Sequence, residues 1–83
     1  MKLRIKLYAM LGVYLPDNAH KNEADLVVDD STTITDVLAS LKVPEEECHL
    51  VLVNGVFIAP SERPDHQLTE GDALAVWPPV AGG

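Results

Sequence analysis

Ile34, Val37, Leu38 and Leu41 fall at offsets of zero, three, four and seven, one face of an α-helix, and no other stretch of the chain carries that period as cleanly. A lone apolar stripe has to be buried against something, so the other apolar residues are expected to build a sheet for it to cover. Thr33 followed by Asp36 has the spacing of a capping box and marks the start. Lys42 suits the negative end of the helix dipole in the last turn, and Pro44 disfavours helix at Val43, which predicts a helix over residues 34–42.

The flanking segments read as strands. Over residues 2–8, Leu3, Ile5 and Leu7 alternate with Lys2, Arg4 and Lys6, the period of a strand with one wet face. Residues 9–24, with Gly12, Pro16, Asp17 and Asn18, keep neither period and read as a long surface connection with room for a helical turn around Tyr8–Leu11. Leu26 and Val28 alternate with Asp25, Val27 and Asp29 in a second short strand, expected to pair with the first and to end at Asp29-Asp30-Ser31. Asn54-Gly55 between Leu50–Val53 and Val56–Ile58 is a strong hairpin signal, because both central residues of a type I′ turn need positive φ. After a polar loop with Pro60 and Pro64, Glu70-Gly71-Asp72 makes a turn. Ala73–Trp77 is then apolar throughout, as in a strand covered on both sides or central in a sheet. This order predicts an α+β fold, a mixed sheet of four to five strands with one main helix packed across it, the layout of the β-grasp or ubiquitin-like fold.

Composition narrows the class of function. With 83 residues the chain is one domain, and 47% apolar content suffices for a core although a chain this short buries only about 60% of its unfolded surface. Thirteen acidic against six basic residues give a formal charge of −7, which repels a phosphate backbone and points away from nucleic acid. Cys48 is the only cysteine, so no intrachain disulfide can form, and a reducing cytoplasm fits. No apolar run approaches the length of about 20 residues that crosses a bilayer, and the alternating start does not resemble a signal peptide.

The informative chemistry lies after the last strand. The domain is expected over residues 1–77, followed by an extended, flexible tail over 78–83, Pro78-Pro79-Val80-Ala81-Gly82-Gly83. The two prolines hold φ near −65° and stiffen its base, and at about 3.3 Å per residue the tail reaches about 20 Å. Gly82 and Gly83 have no Cβ, so they can thread a channel too narrow for a side chain. The reactive group is then expected to be the α-carboxylate of Gly83. Its oxygen is a poor leaving group. Condensation with ATP to an acyl-adenylate supplies a better one, and displacement of AMP by sulfur gives a thiocarboxylate. The chain offers no base beside its own tail, so partner proteins would supply the cations or N–H donors that stabilise these anions.

Leu68-Thr69-Glu70-Gly71-Asp72 followed by Val76-Trp77-Pro78-Pro79-Val80-Ala81-Gly82-Gly83 resembles the molybdopterin synthase small subunit, within the sulfur-carrier family that also includes the thiamin-pathway carrier. Leu52-Val53-Asn54-Gly55 resembles the central hairpin of that family, so the likeness is tight over residues 50–83 and one of layout before them. The resemblance implies a ubiquitin-like fold, adenylation by an E1-like activating enzyme, a sulfur donor protein, and a thiocarboxylated Gly83. It also implies a large catalytic subunit that receives the tail and builds the dithiolene of molybdopterin, for a molybdenum or tungsten cofactor, from a cyclic pyranopterin precursor. The chain would be a co-substrate without an active site or bound cofactor of its own, ATP being used by the activating enzyme. Pro78, Pro79, Val80, Gly82 and Gly83 match the terminal segment of the family; Trp77 stands where phenylalanine is frequent, and Phe57 matches an apolar position that packs against partner proteins. The Pro-Pro pair favours the pterin branch. Residues 9–24, with Tyr14-Leu15-Pro16, depart from the usual helical segment.

Two rival readings share these residues: a ubiquitin-like modifier whose Gly83 is joined to lysines, and a plain interaction domain. Sulfur carriers for thiamin, tRNA thiolation or other metabolites share them too. Cys48, between Glu47 and His49, reads as a small packed residue, since acidic neighbours raise a thiol's pKa. His20, His49 and His66 have no spacing that brings two to one metal. Glu45-Glu46-Glu47 reads as a solvated turn, with docking of a basic partner as the alternative, and Lys2, Arg4 and Lys6 as a solvent-facing strand edge.

Overall fold

The computed structural model describes residues 1–80; Ala81, Gly82 and Gly83, which carry the tail's expected chemistry, lie outside the described residues. Five strands, β1 (Lys2–Leu7), β2 (Glu23–Val27), β3 (Leu50–Val53), β4 (Val56–Phe57) and β5 (Ala73–Trp77), form one sheet in the order β2-β1-β5-β3-β4. The first and last strands are neighbours and run parallel at its centre, with Ile5 beside Leu74 and Leu7 beside Val76. Every other pairing is antiparallel. A parallel pair needs a crossover, and the helix α1 (Ile34–Ser40) lies within it.

The capping box forms as the spacing requires: Asp36 N donates to Thr33 Oγ1 and Thr33 N to Asp36 Oδ2, both at 3.1 Å. The helix is shorter than its period suggests. It stops at Ser40, and Lys42 lies beyond it with φ +65°, not in its last turn. Val43 N donates to Leu38 O and Lys42 N to Ala39 O, both at 3.0 Å, the paired bonds of a Schellman ending with lysine where glycine is usual. Val43 then buries beside Leu38.

Ile34, Val37 and Leu38 pack into a core with Leu3, Ile5, Leu7, Ala24, Val51, Val53, Leu74 and Val76, all from one face of the sheet. Asn54 (φ +51°) and Gly55 (φ +84°) make the expected hairpin turn. Asn54 also reaches β5: its Nδ2 donates to Asp72 Oδ1, and Ala73 N donates to its Oδ1, both at 2.9 Å.

Residues 9–24 hold more structure than a surface connection with one turn at Tyr8–Leu11. Ala9–Tyr14 is a 3-10 helix that buries Leu11 completely, and β2 begins at Glu23, ahead of the apolar alternation. Lys2, Arg4 and Lys6 lie on a face, not an edge, since β1 is flanked by β2 and β5. The loop after β4 is held by Arg63, 7% exposed, which donates from Nε to Ile58 O (3.1 Å), Nη1 to Cys48 O (2.9 Å) and Nη2 to His49 O (3.5 Å).

Candidate functional site

The tail leaves the sheet from a position fixed on both sides. Tyr8 N, just past β1, donates to Val76 O at 3.1 Å, and His49 N, just before β3, donates to Trp77 O at 3.0 Å. The last two carbonyls of β5 are thus held by opposite neighbours, and the path of the chain is set up to Trp77. Pro78 follows half-buried, and Pro79 and Val80 stand in solvent, Val80 at 76% exposure. Neither proline has an N–H to offer a further strand bond, so β5 ends here.

Trp77 is half-buried because Tyr8 covers it. The two rings stack with centroids 4.4 Å apart and planes within 6°. Tyr8 continues the alternation of Lys2, Arg4 and Lys6, which places it on the sheet face away from α1. Trp77 lies on the same face, opposite Leu50, and Leu52 lies opposite both Ala75 and Phe57. The two aromatic residues singled out in the sequence, Trp77 and Phe57, therefore share one surface, with Leu50 and Leu52 of β3 between them.

This face has no helix over it. The unbroken apolar run of β5 suggested a strand covered on both sides or central in a sheet, and it is the central strand, with α1 on one side only; the other side is partly closed by Tyr8 and by Leu52, and Phe57 stays 53% exposed. Sequence reasoning missed Leu50, Leu52 and Tyr8. A signal existed for each: an aromatic ring at a position reserved by alternation for charge, and leucines at the solvent phase of β3.

Toward β2 the same face is mostly charged, with exposed Val27 opposite Lys2. Arg4 pairs with Glu23 (3.0 Å) and Asp25 (3.1 Å), and Lys2 with Asp25 (3.5 Å). Half-buried Lys6 sits between the two zones, beside Ala75 on one side and Glu23 on the other.

The remaining candidates lie elsewhere. Cys48 is buried on the helix side and its Sγ donates to Pro44 O at 3.4 Å. Burial pushes the thiol's pKa up, the Arg63 cation opposes this, and Glu45, Glu47 and Glu46 add to the rise, so it stays protonated at neutral pH, as its acidic neighbours suggested. Glu45–Glu47 form a 3-10 turn in which Glu47 accepts from the Tyr14 hydroxyl at 3.4 Å. Among the described residues no three His, Cys, Asp or Glu side chains converge on a metal position, and no helix is long and apolar enough to cross a membrane.

Comparison with known proteins places this geometry. The model of the ThiS family matches residues 16–83. SAMP1 from Haloferax volcanii is 25% identical over the whole of both chains, with a TM-score of 0.66. The small archaeal modifier protein 1 (SAMP1) from Methanosarcina acetivorans is 24% identical over 99% of this chain and 96% of that one, with a TM-score of 0.64. Subunit 1 in the complex of subunits 1 and 2 of the molybdopterin-converting factor from Helicobacter pylori, at 19% identity, covers both chains fully with a TM-score of 0.59. No curated protein matches the sequence. A family model that spans most of the chain, on a ubiquitin-like β-grasp with an apolar face at the root of its tail, identifies this chain as a member of the ThiS family, a ubiquitin-like sulfur carrier in its fold.

Proposed function

We propose that this chain carries sulfur as a thiocarboxylate on Gly83, as the small subunit of a molybdopterin-synthase-like complex. One observation carries the reading: the chain emerges from a strand pinned on both sides, directly beside an apolar surface that nothing in the described structure covers. Such a surface gives a partner a fixed place to hold, and the tail then has a defined origin from which to enter that partner's reaction chamber.

The partners follow from the chemistry. An E1-like enzyme transfers AMP from ATP to the Gly83 carboxylate and releases pyrophosphate. Sulfur already released from the donor protein at the sulfide level attacks the acyl carbon, the C–O bond to AMP breaks, and AMP leaves with that electron pair. A large catalytic subunit, of the kind seen with subunit 1 in the Helicobacter pylori complex, accepts the thiocarboxylate sulfur in molybdenum or tungsten cofactor synthesis. Tyr8, Leu50, Leu52, Phe57 and Trp77 dock; Pro78, Pro79, Val80 and Ala81 span the distance; Gly82 passes the narrowest point.

Mass spectrometry of the full chain after incubation with activating enzyme, ATP and sulfur donor tests this. One terminal oxygen exchanged for sulfur is expected. Removing Gly83 should abolish the exchange and leave the melting temperature unchanged, since the buried core described above is built from residues 3–76. A second reading, a modifier joined to lysines, is favoured by the likeness to SAMP1 and needs the same adenylate. Lysine adducts on other proteins without sulfur exchange would establish it instead.

A further inference from the structure

β2 is the outer strand on the side of the sheet away from the hairpin, and its pairing leaves a definite set of backbone groups unused. Met1 and Val28 exchange both backbone bonds (2.6 and 2.8 Å), and Leu7 N donates to Asn22 O (2.9 Å). Bonded and non-bonded pairs alternate in an antiparallel ladder, so Ala24 and Leu26 also bond inward to β1, while Glu23, Asp25 and Val27 turn their N–H and C=O groups outward. Glu23 exchanges both with His20 (2.8 and 3.2 Å), and Asn18 Nδ2 donates to Asp25 O (3.3 Å). The N–H of Asp25 and both groups of Val27 have no partner among the described residues.

Beside this open stretch, α1 and β2 flank a groove of about 400 Å³ whose apolar lining is Leu26, Val27, Val28 and Val37, with Asp29 and Asp36 also in its wall and no lysine or arginine. Exposed edges are ordinarily guarded by charge, proline or a bulge. Here the residue with both backbone groups open is Val27, 79% exposed. A second copy of the chain is a poor occupant, because antiparallel pairing of two such edges sets Asp25, Asp29 and Asp30 of one copy against those of the other, on chains that each carry −7.

We propose that this edge takes an extended segment of a basic partner protein as an added strand. Every second residue of the segment is aliphatic and rests on Leu26, Val28 and Val37, and its lysines or arginines lie against Asp29, Asp30 and Asp36. The surface is separate from the tail and from the Phe57 face, so it stands or falls independently of sulfur transfer.

Amide hydrogen exchange and chemical-shift mapping on the full chain test it, with a short synthetic peptide of alternating valine and threonine ending in lysines as the probe. Saturable binding is expected, with exchange at Asp25 and Val27 slowed about tenfold or more when bound. The double variant Asp29→Lys, Asp30→Lys should weaken binding about tenfold. Val27→Pro, which deletes an outward N–H and no inner ladder bond, should weaken it similarly; Val27→Lys, at a side chain already in solvent, guards against a proline that disturbs the fold. Absence of saturable shifts, shifts centred on Leu52 and Phe57, or equal binding of the same peptide ending in glutamates would each overturn the proposal.

Discussion

The row Glu23, Lys6, Ala75, Leu52, Phe57 crosses all five strands on the sheet face away from the helix, and it changes character half way. On the β1–β2 side, Lys2 and Arg4 meet carboxylates across the ladder at 3.0–3.5 Å, and exposed Val27, opposite Lys2, is the apolar exception. On the β3–β4 side, a leucine and a phenylalanine face outward with nothing above them among the described residues. Both halves belong to one sheet. The difference teaches that an apolar outer surface here is local, lies at the root of the tail, and is not a general feature of a thin domain.

The sharpest contrast separates the two faces of the central strands. Leu74 is fully buried under the helix, and Leu74→Ala should cost about 3 kcal/mol of stability, read by urea denaturation, because the cavity cannot collapse in a small core. Phe57→Ala should leave stability within about 0.5 kcal/mol but weaken the complex with the large subunit by about 2 kcal/mol, measured by calorimetry. Equal stability losses at both positions would break the distinction between core and docking face.

The two ends of β5 differ as well: backbone bonds hold the tail end, while at the start the side chains of Asn54 and Asp72 join the backbone bonds from Asn54 N to Ala73 O and from Arg4 N to Asp72 O (both 2.9 Å). Burial raises the pKa of Asp72, but the Thr69 N–H and hydroxyl, the Asn54 amide and the His66 charge outweigh it, and the carboxyl titrates below its ordinary value. A carboxylate that binds its proton more weakly when folded adds stability that is present above the unfolded pKa of about 4 and is lost as the pH falls through the lower folded value. Melting temperature should therefore drop on acidification below about pH 4, and Asp72→Asn should flatten that part of the profile.

The smallest effect belongs to the charged half of the open face. Arg4 and its partners are about half exposed, so Arg4→Ala should change stability by less than about 1 kcal/mol, less again at high salt, and leave the large subunit's affinity unaltered. A tenfold loss of affinity would extend the docking surface across the whole sheet.

Where a feature depends on residues a few positions apart, it was legible in advance. The Thr33–Asp36 cap, the Asn54-Gly55 turn and the Gly71 turn (φ +83°) each place their partners within one turn of chain. The end of the helix was not, because the Val43–Leu38 contact outweighed a period that ran on to Leu41 and put Lys42 in a left-handed conformation. Arg63 gave no signal, since its acceptors are carbonyls 5 to 15 residues away that converge only when the loops close. Trp77 and Phe57 could be singled out from the sequence, but not the surface that joins them.

The order of elements, the acidic balance that discourages nucleic acid and the closing Pro-Pro and Gly-Gly pairs belong to the sequence alone, because local dihedral preferences and composition do not depend on what the chain folds against. Which side of β5 receives the helix, and which apolar side chains are left without cover, was decided by the strand order β2-β1-β5-β3-β4. Period-two strands offer two faces, and with one helix to bury, only register and crossover determine which face is left open.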